Sequence, residues 1–303
     1  MSKILVLLAA YNGDKYIAKQ IESILKQTYS PEKILVSIDC SDDKSLNIVK
    51  SYQNEFPCIE ILGSKVTYGS AAANFLNMLG NVDPMNFDFI SLSDQDDLWE
   101  YDKLEKAIKK LKFNYDGYSS NVEAFWEDGR KKVLIKNQPQ QNYDHLFESA
   151  GPGCTFVMNK KLALSLQQFL KVGQFDQLDN YHDWMIYAFA RVNGFKWFID
   201  SYSGVHYRQH ASNVFGANVG IKAFMSRVNR VLSGEGFDFA FRLMKEFKIK
   251  DQFIQSLFPM SRINLLRLAV HAKQCRRRAR DQVYFLLACI LLAIIFPKKL
   301  RAI

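Results

Sequence analysis

Phe89-Ile-Ser-Leu-Ser-Asp-Gln-Asp-Asp-Leu-Trp99 is the stretch on which the reading of this chain turns. An apolar run rich in strand formers (Phe87, Phe89, Ile90, Leu92) stops at Ser93 and delivers Asp94, Asp96 and Asp97. Three carboxylates within four residues repel one another unless a cation or a helix N-terminus lies close by. Hard divalent cations take oxygen ligands and keep open positions for substrate phosphates. The stretch therefore reads as a metal-diphosphate platform at the C-terminal end of a strand, where open α/β sheets place their ligands. A solvated acidic turn capping a helix that opens near Tyr101 fits the same spacing.

Working outward, the flanking pattern is that of a parallel sheet. Ile4–Ala10 is an uninterrupted apolar run, as expected of a strand covered on both faces, and Tyr11-Asn-Gly13 breaks it. It could pass for a short signal segment, but it runs straight into Ile17, Ile21, Ile24 and Leu25 at helical spacing, which favours a buried first strand. Lys33–Asp39 is a second strand ending in the acidic cluster Asp39-Cys-Ser-Asp-Asp43. A helix through Leu46, Val49 and Tyr52, a strand at Ile59–Leu62 and a helix opened by Gly69 and carrying Asn74 lead back to Phe87. Strands alternating with helices predict a doubly wound α/β fold. No GxGxxG follows the first strand, so an ordinary dinucleotide site is not expected.

Polar residues at three strand ends then converge on one sheet edge: Tyr11 and Asn12, Asp39, and Asp94 with Asp96. An aromatic ring and a carboxylate at the first two suit a base and ribose. Acids at the last suit a metal on a diphosphate. Taken singly, Asn12-Gly13 is also a turn, and Asp39 or Ser41 a helix N-cap.

These strings resemble a known family. Ala9-Ala-Tyr-Asn-Gly13, the Asp39 cluster and Ser93-Asp-Gln-Asp-Asp-Leu-Trp99 are similar to bacterial family 2 glycosyltransferases of the GT-A fold, a Rossmann-like, mostly parallel sheet flanked by helices. Gly151-Pro-Gly-Cys-Thr-Phe156, Tyr181-His-Asp-Trp184 and His206-Tyr-Arg-Gln-His210, with Asn213 and Gly216 beyond, resemble its rhamnosyltransferase-like branch of surface-polysaccharide enzymes. The similarity covers residues 1–218. It implies a Mn²⁺ or Mg²⁺ site on Asp96 and Asp94, joined by His210, and a nucleotide-sugar site on Ala10, Tyr11, Asn12, Asp39, Asn74, Asp94, Gln95 and Arg208. Asp183 falls on the family's catalytic base; Gly151, Gly153, His182 and Trp184 fall on the acceptor side. Two departures stand out: the family's Asp-Asp-Gly-Ser reads Ile38-Asp-Cys-Ser41, and a basic residue often found before Asn74 is Ala73.

The residues themselves are compatible with those roles. His182-Asp-Trp184 precedes apolar residues at helical spacing, so Asp183 sits at a helix start over the sheet edge, as a base or as a plain N-cap. A carboxylate held beside an aromatic ring is partly desolvated, which suits a general base. What the resemblance implies is single displacement with inversion, moving a sugar, L-rhamnose from dTDP-rhamnose, to a lipid-linked saccharide acceptor. A UDP-hexose donor, or a non-catalytic tethered sugar-nucleotide-binding assembly factor, are the alternatives. Nucleotidyl transfer would want a basic Gly-rich loop after the first strand, which is absent.

Charge separates the two ends of the chain. The net charge of +9 conceals about 17 basic and 5 acidic side chains from Lys222 onward, against a slightly acidic remainder. Nucleic acid is not the expected partner, since no basic-aromatic interleaving accompanies the excess. From about residue 219 the pattern is helical: Ile221, Phe224, Val228, Val231 and Leu232 share a face, and Phe237–Phe247 and Ile263–Ala272 behave similarly. Arg276-Arg-Arg278 and Arg280 precede the apolar run 283–296, and Lys298, Lys299 and Arg301 follow it. At ~1.5 Å per residue that run reaches about 21 Å, short of a ~30 Å hydrocarbon core. A shallow or re-entrant anchor with basic flanks on anionic headgroups is expected, at the cytoplasmic face of the inner membrane, peripheral or monotopic. A true span, or a core or dimer helix, are the other readings. Five scattered cysteines without CxxC suggest a reducing compartment and no zinc site.

Overall fold

The computed structural model describes residues 2–62, 67–172, 181–210, 229, 232–297 and 300. Its central strand is β1 (Ile4–Ala10), buried along its whole length. Alternate side chains serve two layers. Ile4, Val6 and Leu8 meet Ile17, Ile21 and Ile24 of α1 (Ile17–Leu25), while Leu5 and Leu7 enter the opposite core with Phe75 and Leu79. Both faces are thus covered by helices, which is why no polar residue interrupts the run.

On one side β1 pairs in parallel with β2 (Lys33–Ile38), and β2 with β3 (Ile59–Leu62); α2 (Ser45–Glu55) joins those two. α3 (Ala71–Asn81) starts where Ser70 Oγ accepts from Ala73 N at 3.0 Å and returns the chain to β4 (Phe89–Asp94), parallel to β1 on its other side. Strand order therefore reverses about β1, and the ends of β1, β2 and β4 open into one crevice. After β5 (Leu98–Trp99) and α4 (Lys103–Lys112), β6 (Gly117–Ser120) joins the main sheet. So do β9 (Val157–Asn159), antiparallel between β4 and β6, and β10 (Trp197–Asp200), giving seven strands in the order β10-β6-β9-β4-β1-β2-β3. β7 (Val122–Trp126), β8 (Lys131–Leu134) and β11 (Val205–Gln209) form a second sheet, ordered β5-β11-β7-β8, which strand–helix alternation alone does not predict. It brings the Tyr207-Arg-Gln-His segment against the chain that leaves β4. α5 (Lys160–Val172) and α6 (His182–Val192) cover the main sheet.

The C-terminal part is helical, as expected: α7 (Glu235–Glu246), α8 (Gln252–Gln255), α9 (Arg262–Val270), α10 (Ala272–Cys275) and α11 (Ala279–Ile295). The expected boundary at 218/219, with Asn213, Gly216 and the face through Ile221, Phe224, Val228 and Val231, lies outside the described residues. α7 is shared between cores: Phe239 and Leu243 join the sheet-side core, Phe237, Phe241 and Met244 the C-terminal one.

The sequence-based placement of the arginines before α11 needs correction. Arg276 and Arg277, expected on lipid headgroups, turn inward instead. Arg277 is 5 % exposed, donates to Asp144 Oδ2 at 2.8 Å and to the Ser149 carbonyl at 2.6 Å, and its own N–H is taken by Glu148 Oε1. Arg276 donates to the Phe147 carbonyl at 2.9 Å. The carboxylates that draw them in lie more than a hundred residues earlier, so local sequence gives no sign of the pairing. Among the described residues no helix is long and apolar enough to cross a membrane.

Candidate active site

The end of β1 is held by side chains from both neighbours. Asn12 adopts φ +44°; its N–H donates to Ser41 Oγ, and its Oδ1 accepts from Asp42 N, both at 3.0 Å. Gln95 clasps the Tyr11 peptide twice: Oε1 accepts from Tyr11 N and Nε2 donates to Tyr11 O, each at 2.8 Å. The expected nucleotide contact Gln95 is thus also the tie between β1 and the acidic loop, and it leaves the Tyr11 ring 57 % exposed at the crevice mouth. Gly13 is required for this clasp, because a Cβ there would stand 2.1 Å from Gln95 Oε1. Gly13→Ala is expected to free Gln95 and to lower stability by about 1–2 kcal/mol through the two lost bonds. Urea denaturation measures this, and calorimetry should record weaker nucleotide binding alongside it.

At the end of β2, Asp39 is 5 % exposed and accepts from Cys40 N and Tyr68 N through Oδ1, at 2.8 and 3.0 Å, and from Gly69 N through Oδ2 at 3.0 Å. It anchors the turn that enters α3, and so shapes the base-side wall. Asn74 is buried and donates to the Ser37 carbonyl at 3.3 Å, tying α3 to β2. Its amide oxygen has no hydrogen-bond partner among the described residues.

β4 delivers the acids, and they divide by depth. Asp97 is 1 % exposed; its Oδ1 accepts from Arg208 N at 3.1 Å, and Cys154 hydrogen-bonds to it. Burial, then the charges of Asp96 and Asp94, raise it well above the ordinary carboxylate range. Asp94 is raised to about 7 by burial and by the charges of Asp96 and Asp183. Asp96 faces the crevice, with its Oδ2 2.6 Å from His210 Nε2. Arg208 donates from Nε to the Asp96 carbonyl at 2.9 Å, and its guanidinium lies between the rings of Tyr16 and Phe125, 4.6 Å from each centroid. Tyr16 also stacks on His210 at 5.4 Å. Asp94, Asp97 and Cys154 likewise bring an oxygen, an oxygen and a sulfur within 4.8 Å of one another. Burial raises that thiol well above its ordinary range, so it is a protonated neighbour and a poor partner for a hard cation.

The residues fit a divalent cation at Asp96. A largely buried carboxylate and an imidazole nitrogen already meet there, and the neighbouring Asp94 is raised by burial and by nearby negative charge that a cation would offset.

The acceptor side is carried by α6. Asp183 lies in its first turn, Oδ1 accepting from Trp184 N at 2.7 Å; Tyr181 occupies the cap position. Its negative charge acts on both Asp94 and Lys136. His182 turns away from solvent, stacked on Phe75 at 4.6 Å, and only glycine fits opposite: a Cβ on Gly153 would lie 2.4 Å from His182 Nε2. Trp184 donates from its indole N–H to the His145 carbonyl at 3.0 Å and packs on Phe239 of α7. Gly151 has φ +146° and runs beside Ser120 O and the Lys136 side chain. Lys136, lowered in pKa by burial despite Glu148 and Asp183, is a cation at this end that no motif announces. Tyr16 and Phe125, which flank the Arg208 guanidinium, belong to none of the motifs either.

A family model described as "Glycosyl transferase family 2" matches residues 5–164. The dTDP-rhamnosyl transferase RfbG of Shigella flexneri is 37% identical over 287 residues, covering 94% of this chain and 99% of that protein. The UDP-Glc:alpha-D-GlcNAc-diphosphoundecaprenol beta-1,3-glucosyltransferase WfgD of Escherichia coli is 27% identical over 186 residues, 59% of this chain and 67% of its own. Among solved structures, S. aureus TarS 1-349 in complex with UDP aligns with a TM-score of 0.59 at 17% identity, covering 96% of this chain and 81% of that one. The mannosyltransferase PcManGT from Pyrobaculum calidifontis, in complex with GDP-Man and Mn²⁺, aligns at 0.54 and 13%, covering 96% and 85%. With the reversal about β1, the acidic loop after β4 and a helical extension, the chain has the GT-A fold of those enzymes and belongs to glycosyl transferase family 2.

Proposed function

We propose that this glycosyltransferase moves L-rhamnose from dTDP-rhamnose, with inversion, to a lipid-linked saccharide in surface-polysaccharide assembly, at the cytoplasmic face of the inner membrane. What supports the mechanism is Asp183 itself, a carboxylate in the first turn of α6 whose charge acts on Asp94 of the acidic platform. The donor assignment is supported by the similarity to RfbG over nearly the full length of both chains.

In this reading the exposed Tyr11 ring offers a surface for the base, with the turn held by Asp39 beside it. Asp183 accepts the proton of an acceptor hydroxyl as that oxygen bonds to the anomeric carbon and the bond to the diphosphate breaks. A divalent cation, Mn²⁺ or Mg²⁺, held by Asp96 with Asp94 and His210 would neutralise the leaving diphosphate. Arg208 presents its guanidinium to the same side, fixed between two rings so that little ordering cost remains on binding. A single base suffices because the departing nucleotide needs charge neutralisation and no proton. A UDP-hexose donor is the second reading, favoured by WfgD and by TarS with UDP.

Calorimetric titration of dTDP, UDP, GDP and CDP, with and without Mn²⁺, tests the proposal. The expected result is metal-dependent binding of dTDP that falls at least about tenfold in Asp96→Ala, the loss of a charged ligand. Preference for UDP would move the donor to the second reading. Binding of none by folded protein would overturn the catalytic reading altogether.

A further inference from the structure

From Val283 onward α11 is apolar on every side, yet only one flank is covered. Phe285, Cys289, Leu292 and Ala293 sit in the C-terminal core. The opposite flank leaves Val283 56%, Leu287 55% and Ile294 66% exposed, with Tyr284, Ile290 and Leu291 beside them. α9 packs antiparallel to α11, Arg262 donating to the Ala293 and Ile294 carbonyls at the far end. It adds an outward stripe of its own at helical spacing: Ile263, Leu266 and Val270, the last 82% exposed. Water-facing apolar stripes on two adjacent helices imply a partner.

We infer that the outer face of the α9–α11 pair is a docking surface for an anionic phospholipid bilayer, lying in the membrane plane with its apolar stripes among the acyl chains. The inference rests on the proposed lipid-linked acceptor for its purpose, and on the exposed side chains for its evidence. At ~1.5 Å per residue, the 17 residues of α11 reach about 26 Å, less than the ~30 Å needed to span, and one flank is committed to the protein core. The charged rim chooses the occupant. Arg267, Lys273, Arg278 and Arg280 are exposed around the pair, and Asp281 is the single acid between Arg262 and Ile295. A second copy packed on this face by two-fold symmetry would bring those cations together, whereas anionic headgroups neutralise them.

The face is also coupled to the catalytic helix. Arg277, just before α11, pairs with Asp144, and Asp144 accepts from Tyr187 and Arg191 of α6, whose first turn carries Asp183. A docked hairpin thereby sets the orientation of the acceptor side relative to the bilayer.

The test is flotation of the full chain with phosphatidylglycerol-containing vesicles and with pure phosphatidylcholine vesicles. Wild type is expected to float with the former and several-fold less with the latter, and raised salt to weaken the difference. Leu287→Glu/Ile294→Glu and, separately, Val270→Glu are expected to cut partitioning at least about tenfold. Circular dichroism and nucleotide binding should stay as in wild type, because these side chains touch neither core nor crevice. Failure of wild type to float, or flotation unchanged in both variants, would overturn the inference. So would a dimer by light scattering that Leu287→Glu dissociates without any vesicle binding. Nucleotide titration of the same samples keeps the donor-site reading separately testable.

Discussion

Asp183→Asn is expected to lower kcat by about a hundredfold to ten-thousandfold, the usual contribution of a positioned general base. Asparagine keeps the shape and the acceptor oxygen that holds Trp184 N at 2.7 Å, so the first turn of α6 should be unchanged. What it cannot do is accept the proton. The same substitution removes one of the two charges that, with burial, push Asp94 up to about 7. Nucleotide binding in the presence of metal should therefore be unchanged or tighter. Steady-state kinetics beside calorimetry separates the two effects: a parallel loss of binding and turnover would make Asp183 part of the donor site, and full turnover would remove it from the mechanism.

Arg277→Met is expected to be the most destabilising single change outside the main sheet, at about 3 kcal/mol or more, because it strips one partner from a buried ion pair. Asp144 would keep Arg191 at 3.2 Å and the Tyr187 hydroxyl at 2.9 Å but lose its closest cation, and the Ser149 carbonyl would lose its donor. Chemical denaturation of wild type, Arg277→Met and the exposed neighbour Arg278→Met measures it, the last expected within about 0.5 kcal/mol of wild type. Equal effects of the two would mean that the buried pair contributes little. The network also sets an acid limit. Burial alone would raise the Asp144 carboxyl, but the nearby His145 ring and the charges of Arg277 and Arg191 outweigh it and hold it at about 2, below its ordinary 3.8. A depressed carboxyl stabilises the fold fully above about pH 4, and that contribution, about 2 kcal/mol, is lost as pH falls towards 2.

The parallel half of the fold was legible because each of its strands is a run of apolar residues ended by a polar turn. Two-faced burial of β1 leaves no other pattern possible. The acidic run was legible for a related reason: three carboxylates at a strand end repel one another unless a counter-charge or burial in the neutral form relieves them. Spacing could not say which acid would sink. Asp97 is buried because β11 pairs with β5 and presents the Arg208 N–H to it, a contact across 111 residues. Lys103 is a second such case. Its position suggests a solvated first turn, yet it is 2 % exposed, its ammonium 3.4 Å from the Trp99 ring centroid and donating to Ser91 Oγ. Burial lowers it to about 7. The basic run 276–278 misled for the same reason in reverse. A local excess of charge says that anions are near, and here two of the three arginines find them within the protein.

The most direct measurement is transfer itself. Purified protein, Mn²⁺ and a saccharide on a lipid diphosphate would be incubated with dTDP-rhamnose or, separately, with UDP-glucose, and the product read by mass spectrometry and NMR. The acceptor is expected to gain one deoxyhexose from dTDP-rhamnose, with anomeric configuration opposite to the donor's, and Asp183→Asn to form almost none. Transfer with retained configuration, or undiminished product from Asp183→Asn, would contradict the proposed mechanism.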